Sequence, residues 1–194
     1  TELVGMRYEQ LIPWFKPDEG AFRVIQGDYV TTEDGTGIVH IAPTFGADDA
    51  KVARLAGVPG LTVVDKNGES QAQVDLQGRY YRTRDLNPKY LAERVSPDYE
   101  EWAGRFVKND YDESLPADAP SLDIDICVML KAQGKAFRIE KHVHSYPHCW
   151  RTDKPVLYYP LDSWFIKTTA VRDKMIELNN GIEWKPEATG TGRF

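Results

Sequence analysis

Residues 35–50 read Gly-Thr-Gly-Ile-Val-His-Ile-Ala-Pro-Thr-Phe-Gly-Ala-Asp-Asp-Ala and bring an imidazole, two adjacent carboxylates and three glycines into one short stretch. His40, Asp48 and Asp49 are side chains that can bind or orient a small polar substrate, and Gly35, Gly37 and Gly46 let a ligand approach the backbone. For these groups to converge, specific elements must hold them. Gly35, Thr36 and Gly37 predict a tight turn, Ile38 to Ala42 a buried strand, and Pro43 to Gly46 a second turn. A helix then begins near Ala47 with Asp48 and Asp49 in its first turn, where the helix dipole favours negative charge. Each part taken singly has a structural explanation. Gly-Thr-Gly also makes hairpin turns, a first-turn Asp also caps a helix, and a strand His is commonly a satisfied structural side chain. The ordered string is more specific than any of its residues.

A second group lies near the other end. His142, His144, His148 and Cys149 include every histidine of the chain except His40. Imidazole and thiolate suit Zn²⁺. Against a metal site, His142 and His144 alternate along an extended segment, and no paired Cys-x-x-Cys accompanies them. A zinc-binding structural module is therefore an alternative rather than the primary reading.

The elements around these groups follow from pattern. A loosely alternating run predicts a strand over 21–30, and a short apolar strand spans 61–64 before the turn Asp65-Lys66-Asn67-Gly68. Helix is expected over about 47–55, closed by Gly57, and over 122–133, stopped by Gly134. Asn87-Pro88 and Ser96-Pro97 each pair an N-cap residue with proline at the first helical position. Residues 135–140 and 155–161 read as extended, and 168–180 as an amphipathic helix closed by Gly181. Strands interrupted by short helices, without β-α-β alternation, favour an α+β or barrel-like fold.

Composition bounds the function. The 194 residues suit one domain with an appendage, and 41% hydrophobic with 28% charged residues is ordinary for a globular chain. No apolar run approaches the ~20 residues of a membrane span, and no secretory signal opens the sequence. Cys127 and Cys149 are too few for a disulfide framework, and reduced thiols point to a cytoplasmic setting. A net charge of −6 opposes a broad nucleic-acid-coating surface. It leaves local clusters, Arg79, Arg82 and Arg84 or Lys131, Lys135, Arg138 and Lys141, able to touch a few phosphates.

The string Val39-His40-Ile41-Ala42-Pro43, followed by Gly46-Ala47-Asp48-Asp49, resembles the signature of the editing domain inserted into the isoleucyl-tRNA synthetases. Related insertions in the valine and leucine enzymes share the Gly-Thr-Gly turn, the strand, the proline and a downstream Asp, but usually lack the His. The stretch His144-Ser145-Tyr146-Pro147-His148-Cys149-Trp150-Arg151 resembles the return from that insertion to the catalytic core, and Ser163-Trp164-Phe165-Ile166 continues the likeness. The family's threonine-rich editing segment lies before residue 1, and Thr31 and Thr32 do not replace it. The core's His-x-Gly-His and Lys-Met-Ser-Lys-Ser motifs are not in the sequence. The resemblance thus implies a piece of a longer enzyme, with an editing body at 1–145 and a connecting segment at 146–194.

The fold implied by the resemblance is a β-barrel decorated with short helices. The implied activity is hydrolysis of valine wrongly esterified to tRNA(Ile). One methylene in a hydrophobic pocket discriminates by only about 10–200-fold, a limit for which this enzyme class is itself the standard case. A second site that admits valine and excludes isoleucine then removes the errors. The resemblance assigns the essential carboxylate to Asp49, which would anchor the α-ammonium group of the substrate by charge-assisted hydrogen bonds and so position the carbonyl for water. His40 would shape the pocket against the extra methylene. Thr36 and the backbone of Gly35, Gly37 and Gly46 would contact the terminal adenosine, and Asp48 would lie beside them as a cap. Editing needs no cofactor; ATP and Mg²⁺ belong to the synthetase core. The partners implied are the valine-charged 3′ end of tRNA(Ile) and the remainder of the synthetase in cis, with no membrane. A non-catalytic module that binds or spaces the tRNA 3′ end is the remaining alternative.

Overall fold

Trp14, Phe15, Val63, Leu86, Tyr99, Trp102 and Leu122 are buried together and form the core of the computed structural model, which describes residues 2–33, 36–116 and 118–193. Four of the seven are aromatic, and they meet at angles that favour ring quadrupoles: Trp14 and Trp102 at 5.0 Å between centroids, Phe15 and Tyr99 at 4.4 Å. Tyr80 stands edge-on to Trp14 at 5.5 Å. The Tyr99 hydroxyl, inside this cluster, donates to the Tyr81 carbonyl at 2.5 Å, so burial leaves no polar atom of that side chain unsatisfied.

The elements that carry these side chains are short. Helix α1 (Ala47–Ala56) precedes a two-stranded antiparallel sheet, β1 (Val63–Val64) and β2 (Ser70–Gln71), in the register Val63↔Gln71 and Val64↔Ser70. Helices α2 (Pro88–Arg94), α3 (Leu122–Ala132), α4 (Arg172–Asn180) and α5 (Ala188–Arg193) follow. This is an α+β arrangement of a small sheet and short helices. It divides into two compact units, Thr1–Pro160 and Leu161–Phe194. The first holds the core, the sheet and α1–α3; the second holds α4 and α5. Among the described residues no helix is long and apolar enough to cross a membrane.

Local chemistry explains most boundaries. The Asn87 side chain accepts from the backbone N–H of Lys89 and Tyr90, and Pro88 opens α2. Ser96 and Pro97 start a 3-10 turn, Pro97–Glu101, in the same way. Ser121 caps α3 through the Ile124 N–H. Gly57 ends α1 with φ 66°, where its N–H donates to the carbonyls of Ala53 and Arg54.

Two five-residue turns ten positions apart share one geometry. In Asp65-Lys66-Asn67-Gly68-Glu69 the carboxylate Oδ1 accepts from the N–H of Asn67 at 2.8 Å and of Glu69 at 3.0 Å. In Asp75-Leu76-Gln77-Gly78-Arg79 the corresponding bonds are 2.9 Å and 3.0 Å. Each is an Asx turn closed on the backbone of its own strand end.

Three expected elements differ. The strand over 21–30 is reduced to a short antiparallel pairing with 5–8, in which Tyr8 N–H donates to Phe22 O and Val24 N–H to Met6 O. Phe22 has φ 54°, outside extended geometry, and that bend ends the ladder. The helix over 168–180 is split into a 3-10 turn at Thr168–Ala170 and α4, with Val171 at φ −120°, ψ 5° between them. Ile38 to Ala42 is neither hydrogen-bonded as a strand nor buried: Ile38 is 65% and Val39 51% exposed. Apolar character reports a preference for burial, but no strand among the described residues supplies the partner.

Tyr99→Ala should cost about 3–5 kcal/mol in chemical denaturation. Tyr99→Phe, which leaves the Tyr81 carbonyl without its donor, should cost about 1–3 kcal/mol. Equal, small losses for both would show that the cluster does not hold the core. For Asp65, N–H donors from Glu69 and Asn67 and from the Gln71 amide outweigh burial and hold its carboxyl below the ordinary value of 3.8. A group with a lowered folded pKa stabilises above its unfolded value and loses that contribution as pH falls through the folded one. Asp65→Ala should therefore lower Tm at neutral pH, and the gap to the parent should close below about pH 3.8. A gap independent of pH would contradict this.

Candidate functional site

The turn between the apolar strip and α1 is built around Ala42. Its carbonyl accepts from the N–H of Phe45 at 3.0 Å and of Gly46 at 3.1 Å. Its own N–H donates to Asp49 Oδ2 at 2.9 Å. Asp49 is the third residue of α1, a position from which an acidic side chain commonly returns to the N-cap N–H. Here it reaches past the N-cap, Gly46, to a residue four positions earlier. The carboxylate thereby fastens the turn to the helix.

Gly46 is required by that bond. A Cβ on Gly46 would stand 2.7 Å from Asp49 Oδ2 and 2.8 Å from its Cγ. Any side chain there would push the carboxylate off the Ala42 N–H. Asp49 is half-buried, and its second oxygen, Oδ1, makes no hydrogen bond among the described residues. One oxygen is thus committed to the fold while the other is left to accept from a ligand. The turn is held further by Thr44, whose hydroxyl donates to the Leu61 carbonyl at 2.9 Å, and by Phe45, edge-on to Tyr159 at 6.5 Å.

The other expected site residues are placed as follows. Gly35 lies outside the described residues. The Thr36 hydroxyl and the Ile38 backbone contact one another at 3.3 Å, a local turn that occupies the side chain expected to meet adenosine. Gly37 has φ 76°, and a Cβ there would meet Thr32 Cγ2 at 2.9 Å, so the turn needs glycine for two reasons. His40 is exposed and makes no hydrogen bond, ion pair or ring contact among the described residues. Asp48 is exposed beside it in sequence space only, in the first turn of α1. The structure therefore brings together Ala42, Gly46 and Asp49. Among the described residues no hydrogen bond joins His40 or Asp48 to Asp49. Residues 38–40 are exposed and Ile41 is half-buried, with no strand pairing among the described residues.

The histidine group behaves differently from a metal site. His142 and His144 stack at 5.5 Å between centroids, His144 Nδ1 lies 2.9 Å from the Ser145 carbonyl, and His148 Nδ1 lies 2.8 Å from the Tyr146 carbonyl. Among the described residues no three His, Cys, Asp or Glu side chains gather to hold a metal. Cys149 is free, as is Cys127. A hydrogen bond with the Thr152 hydroxyl, then the N–H groups of Arg151 and Thr152, hold the Cys149 thiol below its ordinary range.

A cleft of about 220 Å³ was not anticipated from sequence, and no residue of 35–50 lines it. The twin Asx turns supply Asp65 and Asp75, Asp85 faces them, and Arg79, Arg82 and Tyr81 complete the walls. Burial raises the Tyr81 pKa, with the charges of Tyr159, Asp65, Asp75 and Asp85 adding to the effect. The readable signal was the repeated Asp-x-x-Gly spacing. We assign this mixed-charge cleft no role, because Asp65 and Asp75 are already satisfied by their own turns.

Comparison with known proteins decides the family. The full chain aligns with isoleucine–tRNA ligase of Bacteroides fragilis at 66% identity over 194 residues, of Porphyromonas gingivalis at 63%, and of Clostridium tetani at 40% over 193 residues. The chain belongs to the isoleucine–tRNA ligase family. All of it is covered in each case, whereas it spans 17% of the length of the Bacteroides and Porphyromonas relatives and 15% of the Clostridium one. No protein-family model matches it.

The Asp49–Ala42 bond makes a direct prediction for this ligase segment. Gly46→Ala should displace the carboxylate and speed hydrogen exchange at the Ala42 amide by about fivefold or more, the equivalent of a net hydrogen bond of about 1 kcal/mol. Unchanged exchange at Ala42 in a folded variant would show that the bond does not hold the turn.

Proposed function

We propose that this chain is the editing domain of an isoleucyl-tRNA synthetase, and that it hydrolyses the ester of valine wrongly attached to tRNA(Ile). The observation that carries the reading is the half-committed Asp49 carboxylate: Oδ2 is held by the Ala42 N–H, and Oδ1 is unpaired among the described residues. A carboxylate fixed in this way can accept from the substrate's α-ammonium group without reorganising, and a charge-assisted bond there is stronger than a neutral one. With the ammonium anchored, the ester carbonyl is presented to water in a restricted set of orientations. Water adds to the carbonyl carbon, the ribose oxygen leaves and takes up a proton, and free valine and tRNA result. The step consumes water alone and needs no cofactor. ATP and Mg²⁺ serve the synthetase core that lies outside this chain.

In this reading His40 closes the side-chain pocket when 38–41 is covered by substrate, and Thr36, Gly35 and Gly37 line the adenosine side. The family's barrel form is part of the same proposal, as are the remainder of the synthetase in cis and the charged end of tRNA(Ile) as partners. The exposure of Leu161, Trp164, Phe165 and Ile166 suits a segment that continues onto another part of such an enzyme.

Release of labelled valine from valyl-tRNA(Ile) tests the proposal. Asp49→Ala should reduce it by at least about 10²-fold, the order expected when an essential positioning charge is lost, while the chain stays folded with a stability loss of about 1 kcal/mol from the lost Ala42 bond. His40→Ala should leave valine release in place and allow isoleucyl-tRNA(Ile) to be hydrolysed. Full activity of Asp49→Ala would sink the assignment, and an unchanged isoleucine-to-valine ratio would remove His40 from the pocket. If the parent chain also retains valyl-tRNA without releasing valine, it is a binding module.

A further inference from the structure

Helix α1 carries Asp49 but is held by little apolar packing. Of its ten residues only Ala53 is buried, and one alanine removes too little area from water to fix where a helix sits. Polar bonds must therefore set its place. The bonds of Ala42 O with the N–H of Phe45 and Gly46, and of Asp49 Oδ2 with the Ala42 N–H, fasten the turn to the helix but to nothing beyond it.

Among the described residues two hydrogen bonds tie this turn and helix to other parts of the chain, one at each end. At the C-terminal end the Arg23 guanidinium donates to the Ala56 carbonyl, where a cation also suits the helix dipole. At the N-terminal end the Thr44 hydroxyl donates to the Leu61 carbonyl at 2.9 Å. Ala56 stands about 10 Å along the helix from Asp49, at ~1.5 Å per residue. Thr44 belongs to the same turn as the Asp49 bond, so it is the tether that acts at the carboxylate.

The acceptor is firmly placed. Leu61 packs against the aromatic core, the next carbonyl, Thr62 O, accepts from the Tyr90 hydroxyl at 2.9 Å, and Val63 is fully buried. The two segments also approach closely: a Cβ on Gly60 would stand 3.1 Å from Thr44 Oγ1. Branching at Cβ restricts χ1 of Thr44, so its hydroxyl has few other directions to take. The resemblance that picks out Asp49 gives Thr44 no part. We propose that Thr44 is a positioning residue for Asp49: its bond to Leu61 sets where the carboxylate stands relative to the core, and so how the anchored ester meets water. The role rests on the editing reading of Asp49. Losing the bond leaves the charge in place and removes its fixed position, a change to which orientation-dependent catalysis is sensitive.

Valine release from valyl-tRNA(Ile) and amide hydrogen exchange, measured on the same samples of this chain, test the role. Thr44→Val removes the hydroxyl at nearly constant shape, Thr44→Ser keeps it, and circular dichroism checks that both stay folded. Thr44→Val should speed exchange at the Phe45 and Gly46 amides about fivefold, the loss of one net hydrogen bond from the turn. It should lower the maximal rate of valine release by about tenfold or more, and Thr44→Ser should restore most of both. In an Asp49→Ala background Thr44→Val should slow release no further, because a residue that acts through Asp49 then has nothing to position. A loss of general stability would instead lower the rate by the same factor in both backgrounds. In a parent whose release depends on Asp49, that equal loss, or a parental rate in folded Thr44→Val, overturns the role alone. Release independent of Asp49, or no release at all, overturns the editing reading and this role with it.

Discussion

Tyr99 is the side chain on which the first unit closes. Its ring is fully buried between Phe15, Trp14 and Tyr80, and its hydroxyl ends on the Tyr81 carbonyl. Those contacts join segments distant in sequence: residues 14–15, the segment 80–81, and the 3-10 turn that Ser96 and Pro97 start. A sheet of two two-residue strands cannot organise a unit of this size by its ladder alone. Aromatic burial takes that role, and backbone bonds such as Ser96 N–H to Trp14 O and Gly104 N–H to Tyr80 O follow the packing. Burial pushes the Tyr99 hydroxyl well above its ordinary pKa, so it stays a neutral donor at any physiological pH. Tyr90, whose hydroxyl donates to Thr62 O at 2.9 Å, is pushed up to about 12 by the same cause and links α2 to the sheet.

The Asp49 turn depends on that core indirectly. Thr44 is bonded to Leu61, Leu61 packs against the core, and Val63 lies two residues further on in β1. The chain from core to turn is therefore short, and the helix start is held from two sides. Against this firm base the strip 38–41 is unpaired, with Ile38 and Val39 exposed. A carboxylate on a fixed turn beside exposed apolar residues is poorly suited to a core, but it suits a surface that is completed by something else. In a chain spanning 17% of its Bacteroides relative, the completing surface need not lie within these residues.

Much of this was legible in sequence where one residue type has one physical use. Asn87-Pro88 and Ser96-Pro97 marked two starts, Gly57 marked an end, and Asp65-Lys66-Asn67-Gly68 marked a turn, because a cap, a fixed φ or a positive φ is a local requirement. The pair Asp48-Asp49 was legible from pattern as a helix start, and only the family resemblance made the two carboxylates unequal. Only coordinates separate the one that reaches back to Ala42 from the one that faces solvent. Pattern misled where the decisive partner was non-local. Ile38 to Ala42 has strand composition and no strand beside it among the described residues, and residues 21–30 keep only the pairing of 22–24 with 5–8.

The histidines make the same point from the opposite direction. Counted as ligands, His142, His144, His148 and Cys149 suggest a metal, because type alone says what each atom can bind. Counted by position, the intervening Tyr146 and the following Trp150 belong to the same period, and neither is a zinc ligand. An alternation that includes tyrosine and tryptophan selects for flat faces, not for lone pairs. The ring contacts carry that pattern into space: the His142 and His144 rings stack on one another at 5.5 Å, whereas metal ligands must aim nitrogen lone pairs at a shared point. Two His Nδ1 atoms lie instead within 2.9 Å of backbone carbonyls, which orients the rings along the chain. The property common to all five residues is therefore an aromatic ring, and Lys108 and Arg151 lie over two of them, Tyr146 and Trp150.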